Sequence, residues 1–225
     1  MTEDDCRCAV TILVVAKAPV PGLAKTRLAA SVGDRAAAEI AAAALLDTLD
    51  AVAGTPADAH VVALTGDLDR AARCDEIRSR LTDFTVVTQR GDGFADRLAN
   101  AHTDAAAAGL PVLQIGMDTP QVTAALLTRC AHTLLAGPAV LGPATDGGWW
   151  ALGVHAPEHA QCLRTVPMSQ PDTGAVTLGA LRDTGITVST LRQLRDVDTI
   201  DDIAPVRAEC APGSRFTRAT AMCGV

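Results

Sequence analysis

Residues 9–16 are AVTILVVA, and residues 17–28 continue as KAPVPGLAKTRL. The first segment is an almost unbroken apolar run rich in β-branched residues, which is typical of a strand buried on both faces of a parallel sheet. The second segment holds two prolines, a glycine and three cations, so it predicts a tight basic loop directly after the strand. Ligands of open parallel sheets bind beyond the carboxyl ends of the strands, so this loop is the first place to expect a site.

The rest of the chain alternates between strand and helix patterns. Strands are predicted at residues 60–65, 84–88, 111–117, 139–142 and 186–191, with an extended segment at 149–154. Helices are predicted at residues 34–53, 67–80, 94–108, 123–135, 173–184 and 199–209. This alternation predicts an α/β fold of three layers, α/β/α, whose mainly parallel sheet is covered by helices on both faces.

The same pattern indicates one domain over residues 1–225, with its core at about 9–205 and a C-terminal tail at 206–225. No repeat, low-complexity tract or clear linker divides the chain. The stretch after residue 142 breaks the alternation, and we expect it to wall one side of a site.

Composition excludes several classes of protein. The chain has 225 residues, is 48% hydrophobic and carries a formal net charge of −7, which argues against disorder and against a surface that coats nucleic acid or binds anionic membranes. Three Phe, two Trp and no Tyr do not make a stacking platform for single-stranded nucleic acid. The acidic residues 1–5 are unlike a signal peptide, and no apolar run has the length of a membrane span. We expect a cytoplasmic protein whose seven cysteines are reduced thiols, with the role of Cys6 and Cys8 open.

The basic loop after the first strand is a candidate nucleotide-binding site. Its backbone N–H groups can face phosphate oxygens, and its lysines and arginine can neutralise their charge. The candidate residues are Ala16, Lys17, Gly22, Lys25, Thr26 and Arg27. It is not a Walker A loop, because the G-x-x-x-x-G-K-[ST] pattern is absent. The alternative is a solvated basic turn.

Carboxylates follow two other predicted strands. Asp118, in GMDTP, lies where a divalent cation could bridge it to nucleotide phosphates. Asp198 could be a second metal ligand. Each has a structural alternative: Asp118 could cap a turn, and a capping box of Thr199 and Asp202 could explain the acidic run around Asp198.

Residues 146–150 (DGGWW) follow the fifth predicted strand and hold the two tryptophans of the chain. Paired glycines suit close backbone approach by a ligand, and Asp-Gly-Gly also makes an ordinary turn. The tryptophans can floor a pocket or anchor the segment that follows.

Five segments together resemble one family, the short GT-A-like proteins of unknown function called glycosyltransferase A or radical-SAM/selenodomain-associated transferases. They are VVAKAPVPGLAKTRL (14–28), QRGDGFADRLANAH (89–102), QIGMDTP (114–120), LGPATDGGWWALG (141–153) and DVDTIDDI (196–203). The resemblance implies a nucleotide-diphospho-sugar transferase (GT-A, Rossmann-like) fold. It also implies a distant similarity to 2-phospholactate guanylyltransferases and molybdenum-cofactor nucleotidylyltransferases.

The resemblance further implies roles for particular residues. It places the phosphates on Lys17, Gly22, Lys25 and Arg27. It makes Asp118 a Mg²⁺ (or Mn²⁺) ligand, and Asp198 a second metal contact. Apart from the resemblance, Gly91 is a further candidate nucleotide-binding residue, and the segment 91–97 is expected to shape the base or acceptor pocket. The sequence departs from the family pattern at Trp149, where Tyr is usual, and at Ile200, where Pro is usual. The first departure changes the expected acceptor contacts but leaves the metal site intact.

Two enzymatic functions fit these residues. In a nucleotidylyltransferase, Lys17, Lys25 and Arg27 would stabilise the triphosphate while an anionic phosphate or phosphonate acceptor attacks the α-phosphorus. In a glycosyltransferase using an NDP-sugar, Asp146 would act as base for an acceptor hydroxyl. In either reaction we expect the acceptor to lie against Asp146, Gly147, Gly148 and Trp149. Three cations in one loop favour the nucleotidylyltransferase. A non-catalytic nucleotide-binding protein is a third interpretation, and three retained aspartates argue against it. The base, the acceptor and the oligomeric state are left open.

Overall fold

The computed structural model describes residues 7–225, so residues 1–5 and Cys6 of the expectations above lie outside the described residues. Its strands are β1 (Cys8–Lys17), β2 (Ala57–Thr65), β3 (Thr85–Thr88), β4 (Val112–Gly116), β5 (Ala139–Pro143), β6 (Trp149–Val154) and β7 (Val188–Thr190). They form one sheet in the order β3-β2-β1-β4-β6-β5-β7. All neighbouring strands are parallel except β6, which is antiparallel to both β4 and β5. The predicted mainly parallel α/β sheet is confirmed.

The helices connect these strands and cover both faces of the sheet. They are α1 (Thr26–Val32), α2 (Asp34–Ala53), α3 (Cys74–Leu81), α4 (Phe94–Ala105), α5 (Ala124–Leu135), α6 (Thr173–Asp183), α7 (Ile200–Glu209) and α8 (Arg215–Met222). Three 3-10 helices occur at Leu68–Arg70, Ala106–Ala108 and Pro157–Thr165.

The first strand divides the core into two layers because successive strand side chains point to opposite faces. Ile12 and Val14 pack with residues of α2 and α5. Leu13 and Val15 pack with residues of α4 on the opposite face. A third cluster joins α1, α2, α7 and α8 around Phe216. Consequently α1, which packs on α2, and α4 lie on opposite sides of the sheet.

The prediction of one continuous helix at 67–80 is wrong, because the segment contains two separate helical pieces. A 3-10 turn ends at Arg70, and α3 begins only at Cys74. Between them the Ala72 N–H donates to the carbonyl of Pro19 in the basic loop, at 3.0 Å. Arg73 then takes a left-handed conformation with φ 55°. The polar sequence allows a helix here, but a hydrogen bond to a distant segment interrupts it.

Other boundaries shift by a few residues. The predicted helix at 94–108 ends as an α-helix at Ala105 and continues as a 3-10 turn. Asp34 is the first residue of α2 rather than its cap, which is Gly33. The structure adds α1 within the segment expected to be a loop, so Thr26 and Arg27 lie on its first turn. The 206–225 segment, expected only as a tail, includes α8.

Within residues 7–225, none of the helices combines the length and apolar character required to cross a bilayer. The five cysteines from position 74 onward form no disulfide with one another: Cys74, Cys130, Cys162, Cys210 and Cys223.

Candidate active site

An open cavity of about 800 Å³ lies at the carboxyl ends of β1 and β4. Ten of the residues proposed from the sequence line it: Ala16, Lys17, Lys25, Thr26, Arg27, Asp118, Asp146, Gly148, Trp149 and Asp198. The other three, Gly22, Gly91 and Gly147, are not among its lining residues. The fold therefore brings together segments that lie far apart in the sequence.

Two cations and two carboxylates meet on one side of the cavity. We call this cluster of Lys25, Arg27, Asp118 and Asp198 the α1 bank. The Lys25 ammonium donates to Asp118 Oδ2 at 2.7 Å and lies 3.8 Å from Asp198 Oδ1. Arg27 donates to the other oxygen of Asp198 at 2.5 Å. Lys25 immediately precedes α1 and Arg27 lies on its first turn, and both side chains reach carboxylates in the segments after β4 and β7.

The α1 bank perturbs the charges of its members. Burial alone would lower the pKa of Lys25, but Asp118, Asp198 and Asp196 together raise it above its usual value. Burial, reinforced by the negative charges of Asp118 and Asp146, raises the pKa of Asp196 to about 6, with Lys25 opposing the shift. The aspartates thus concentrate negative charge at this end of the cavity, which suits a cation.

Lys17 and Gly22 shape the basic loop. The Lys17 ammonium donates to the carbonyl of Leu23 at 2.7 Å, and so closes the loop on itself. Gly22 has φ 77°, a left-handed conformation in which glycine is favoured. Gly91 also has a positive φ, 130°, and packs against the start of α4. These two glycines act on backbone shape, outside the lining of the cavity.

The DGG segment is a tight turn held against the loop before α6. Asp146 accepts a hydrogen bond from the Gly148 N–H at 2.8 Å. Gly147 has φ 90°, and a Cβ there would lie 1.8 Å from the carbonyl oxygen of Pro171. Residues 146–148 therefore form an ordinary turn and also belong to the candidate site, since Asp146 and Gly148 line the cavity.

The two tryptophans have different environments. Trp150 is buried, and its indole N–H donates to the carbonyl of Arg192 at 2.8 Å, which anchors the segment after β7. Trp149 is partly buried, lines the cavity and donates to the hydroxyl of Thr177 at 3.2 Å. Trp150 thus anchors the segment after β7, and Trp149 forms part of the cavity wall.

Asp198 lines the cavity, whereas the residues that follow it cap a helix. Thr199 and Asp202 form a capping box at the start of α7, as the sequence allows. The Asp202 carboxylate also accepts the N–H of Asp198. This cap fixes the backbone that presents Asp198 to Arg27.

Sequence reasoning missed several residues of the cavity. Gln89 follows β3, and its amide donates to the carbonyls of Ala16 and Ala63, each at 2.8 Å. Inspecting the residue after each strand, as for Asp118, would have selected it. Asp196 and the segment 168–171 also line the cavity. Arg97 lines it as well; the sequence placed it only within the segment 91–97, which was expected to shape the base or acceptor pocket.

A divalent cation fits the α1 bank only as a site shared with a ligand. Within residues 7–225, no three Asp, Glu, His or Cys side chains come together as a ligand set. The ammonium of Lys25 nevertheless lies between Asp118 and Asp198, which shows that the two carboxylates can face one cation. Mg²⁺ is commonly held by one or two carboxylates, with substrate phosphates and water completing its shell.

The sheet order and the cavity beyond β1 and β4 define a protein with the nucleotide-diphospho-sugar transferase fold. Structural similarity agrees: a candidate nucleotide-diphospho-sugar transferase from Desulfovibrio desulfuricans G20 superposes with a TM-score of 0.80, at 24% identity over 96% of each chain. The chain belongs to the bacterial family DUF2064, described as uncharacterized proteins conserved in bacteria, whose model matches residues 48–170.

More distant structures share the fold at lower similarity. Rv0371c from Mycobacterium tuberculosis, solved as a complex with manganese, has a TM-score of 0.55 at 19% identity, over 88% of this chain and 97% of that one. The 4-diphosphocytidyl-2C-methyl-D-erythritol synthase of Anaerococcus prevotii has a TM-score of 0.58 at 12% identity, over 88% and 96% of the two chains. No curated protein matches the sequence.

Proposed function

We propose that this protein is a nucleotidylyltransferase that depends on Mg²⁺ or Mn²⁺ and transfers a nucleotidyl group from an NTP to an anionic small molecule. The observation that carries this proposal is the α1 bank, where Lys25 and Arg27 lie against Asp118 and Asp198 at the mouth of an 800 Å³ cavity. Cations and carboxylates side by side suit a metal–triphosphate complex, because the carboxylates can bind the metal while the metal, the lysine and the arginine together neutralise the phosphate charge.

In this proposal Asp118 and Asp198 would hold the metal, which supplies charge neutralisation at the phosphates when bound. Lys25 and Arg27 then turn from their carboxylate partners to the β- and γ-phosphates. An oxygen of the acceptor's own phosphate or phosphonate attacks the α-phosphorus, the bond from the α-phosphorus to the bridging oxygen breaks, and pyrophosphate leaves with the electron pair. The attacking oxygen is already anionic, so no proton has to be removed. The residues of the cavity orient the reactants and stabilise charge.

A glycosyltransferase is the second candidate, supported by one observation. The carboxylate of Asp146 lines the cavity beside Trp149, where it could take a proton from an acceptor hydroxyl. One of its oxygens, however, already accepts the Gly148 N–H. A diphosphate also needs fewer cations than a triphosphate with a departing pyrophosphate, so the α1 bank favours nucleotidyl transfer.

Ligand-induced stabilisation distinguishes the two. The thermal midpoint is measured with Mg²⁺ across the four NTPs and a panel of NDP-sugars, since a ligand at 100 times its Kd adds ~2.7 kcal/mol to stability. Selective stabilisation by one NTP supports the proposal and names the base. Stabilisation by an NDP-sugar well beyond its parent NDP contradicts the proposal and makes the protein a glycosyltransferase.

Asp118→Asn tests the metal assignment. A neutral amide is a poor ligand for a hard cation, so the Mg²⁺-dependent part of NTP affinity is expected to disappear. Asp183→Asn, at an exposed position at the end of α6, is the matched control. Titration calorimetry with and without Mg²⁺ measures both variants. Unchanged Mg²⁺-dependent affinity in the Asp118 variant would remove this residue from the metal site.

A further inference from the structure

Arg97 projects into the cavity from α4 without an internal charged partner. Its Nε is buried and has no hydrogen-bond acceptor among the described residues. The adjacent carboxylate, Asp96, is already paired with Arg164 at 2.7 Å. Lys25 and Arg27, in the same cavity, are each bonded to an aspartate. A buried donor is normally satisfied, so the unpaired Nε–H of Arg97 is available to a ligand in the cavity.

Arg97 and the α1 bank line the same cavity from helices that cover opposite faces of the sheet. Arg97 belongs to the α4 bank, which we define as Phe94, Arg97, Trp149 and Met168, all of which line the cavity. Trp149 and Met168 pack against the core layer that contains α4, whereas α1 packs with α2 on the other face of the sheet. The cavity therefore has cationic groups on two sides. Lys25 and Arg27 are paired with carboxylates, Lys17 donates to the carbonyl of Leu23, and Arg97 is left for a ligand.

The guanidinium of Arg97 lies over the ring of Phe94. The guanidinium carbon of Arg97 lies 5.8 Å from the centre of the Phe94 ring, and Phe94 is 44% exposed at the start of α4. A cation–π contact attracts a guanidinium to the face of a ring and leaves its N–H groups available to a carboxylate or phosphate. The cation–π contact therefore leaves Arg97 able to bind an anion in the cavity.

We propose that Arg97 binds an anionic group of the acceptor, a carboxylate or phosphate that is distinct from the attacking oxygen. The inference rests on the proposed function, and it specifies the acceptor class as a small molecule with at least two anionic groups. The donor's phosphates have their cations on the α1 bank. Arg97 lines the cavity from α4, and Trp149 packs against the same core layer as α4, so we place the acceptor on this side.

The test uses inorganic phosphate as the anion and inorganic tripolyphosphate with Mg²⁺ to fill the α1 bank regardless of base. Phosphate is titrated into the tripolyphosphate-loaded protein while the Nε–H resonances of arginine are followed by NMR. Arg97→Gln removes the charge, and Arg97→Lys keeps the charge but loses the fork geometry. Arg182→Gln, at an exposed position of α6 outside the cavity, is the matched control.

Saturable binding that shifts the Arg97 resonance, and that weakens about tenfold or more in Arg97→Gln, supports the proposal, as expected for loss of a hydrogen bond between charged groups. Arg97→Lys is expected to be intermediate, and Arg182→Gln unchanged. The proposal is wrong if phosphate shows no saturable binding, or if Arg97→Gln and Arg182→Gln bind phosphate equally well. It is also wrong if Arg97→Gln loses as much affinity for tripolyphosphate as for phosphate, because Arg97 would then belong to the donor site. Failure of the proposed function shows separately, as absent NTP selectivity.

Discussion

Lys25 holds an unusual backbone conformation for a residue with a side chain. Its φ and ψ are 49° and 50°, in the left-handed region, which L-residues other than glycine seldom occupy. This conformation ends the basic loop and starts α1, and it directs the ammonium to Asp118. Such strain is concentrated at functional sites, where the surrounding structure maintains it. The exposure of the Lys25 side chain is 14%, so its charge acts in a partly dry environment.

Replacing Lys25 tests its place on the phosphates. Lys25→Ala is expected to weaken triphosphate binding about tenfold or more, because a hydrogen bond between charged groups contributes ~1.5–3 kcal/mol. Monophosphate binding should fall much less, since a monophosphate does not reach the β/γ position. Calorimetry with an NTP and the matching NMP measures both. Arg35→Ala, an exposed cation of α2, is the control; equal losses for the two nucleotides would remove Lys25 from this position.

At the scale of elements, the wall of the cavity depends on backbone contact between the DGG turn and the start of α6. The Gly174 N–H donates to the carbonyl of Gly147 at 2.8 Å. A Cβ at Gly147 would overlap the carbonyl of Pro171, and a Cβ at Gly174 would lie 2.5 Å from the carbonyl of Gly148. Only glycines allow these segments to touch, and their contact places Asp146 and Trp149.

Gly147→Ala is therefore expected to destabilise the protein. The positive φ alone costs about 1–3 kcal/mol in a residue with a side chain, and the overlap with Pro171 adds to it. Gly179→Ala in α6 meets nothing within 4 Å and should instead stabilise by about 0.5–1 kcal/mol, because alanine favours a helix interior. Urea denaturation compares the two variants. A urea midpoint for Gly147→Ala at or above that of the unmodified protein would contradict this expectation and show that the contact between the turn and α6 contributes little to stability.

For the whole molecule, α8 fastens the C-terminal segment to the helices that carry the basic loop. Asp47 of α2 accepts the N–H groups of Arg215 and Phe216, at 3.0 and 2.8 Å. Arg215 also reaches Glu76 of α3. Phe216 is fully buried in the cluster that includes Leu28 of α1. The C-terminal helix thus supports α1 from behind.

Phe216→Ala measures this support. Truncating a buried phenylalanine costs about 3–5 kcal/mol, whereas Met222→Ala, 88% exposed on the same helix, should change stability by less than about 0.5 kcal/mol. Guanidinium denaturation followed by circular dichroism provides both values. Separate loss of α8 with an unchanged main transition would mean that α8 is peripheral to the cooperative unit.

The sequence by itself determined the order of the strands and of the longer helices, and the end of the sheet where the cavity lies. Periodicity, prolines, glycines and caps act within a few residues, so α2, α5 with its Thr123 cap, and the capping box of α7 were predictable. The break before α3 was not, because it depends on a hydrogen bond from Ala72 to Pro19.

Only the tertiary structure decided which charges meet. Lys25 and Asp118 are 93 residues apart, and Arg27 and Asp198 are 171 apart. The free guanidinium of Arg97 likewise became evident only once its neighbour Asp96 was found paired with Arg164, 68 residues away. Pairing of charges depends on distance in space, which the packing of helices on opposite faces of the sheet sets and which local sequence does not encode.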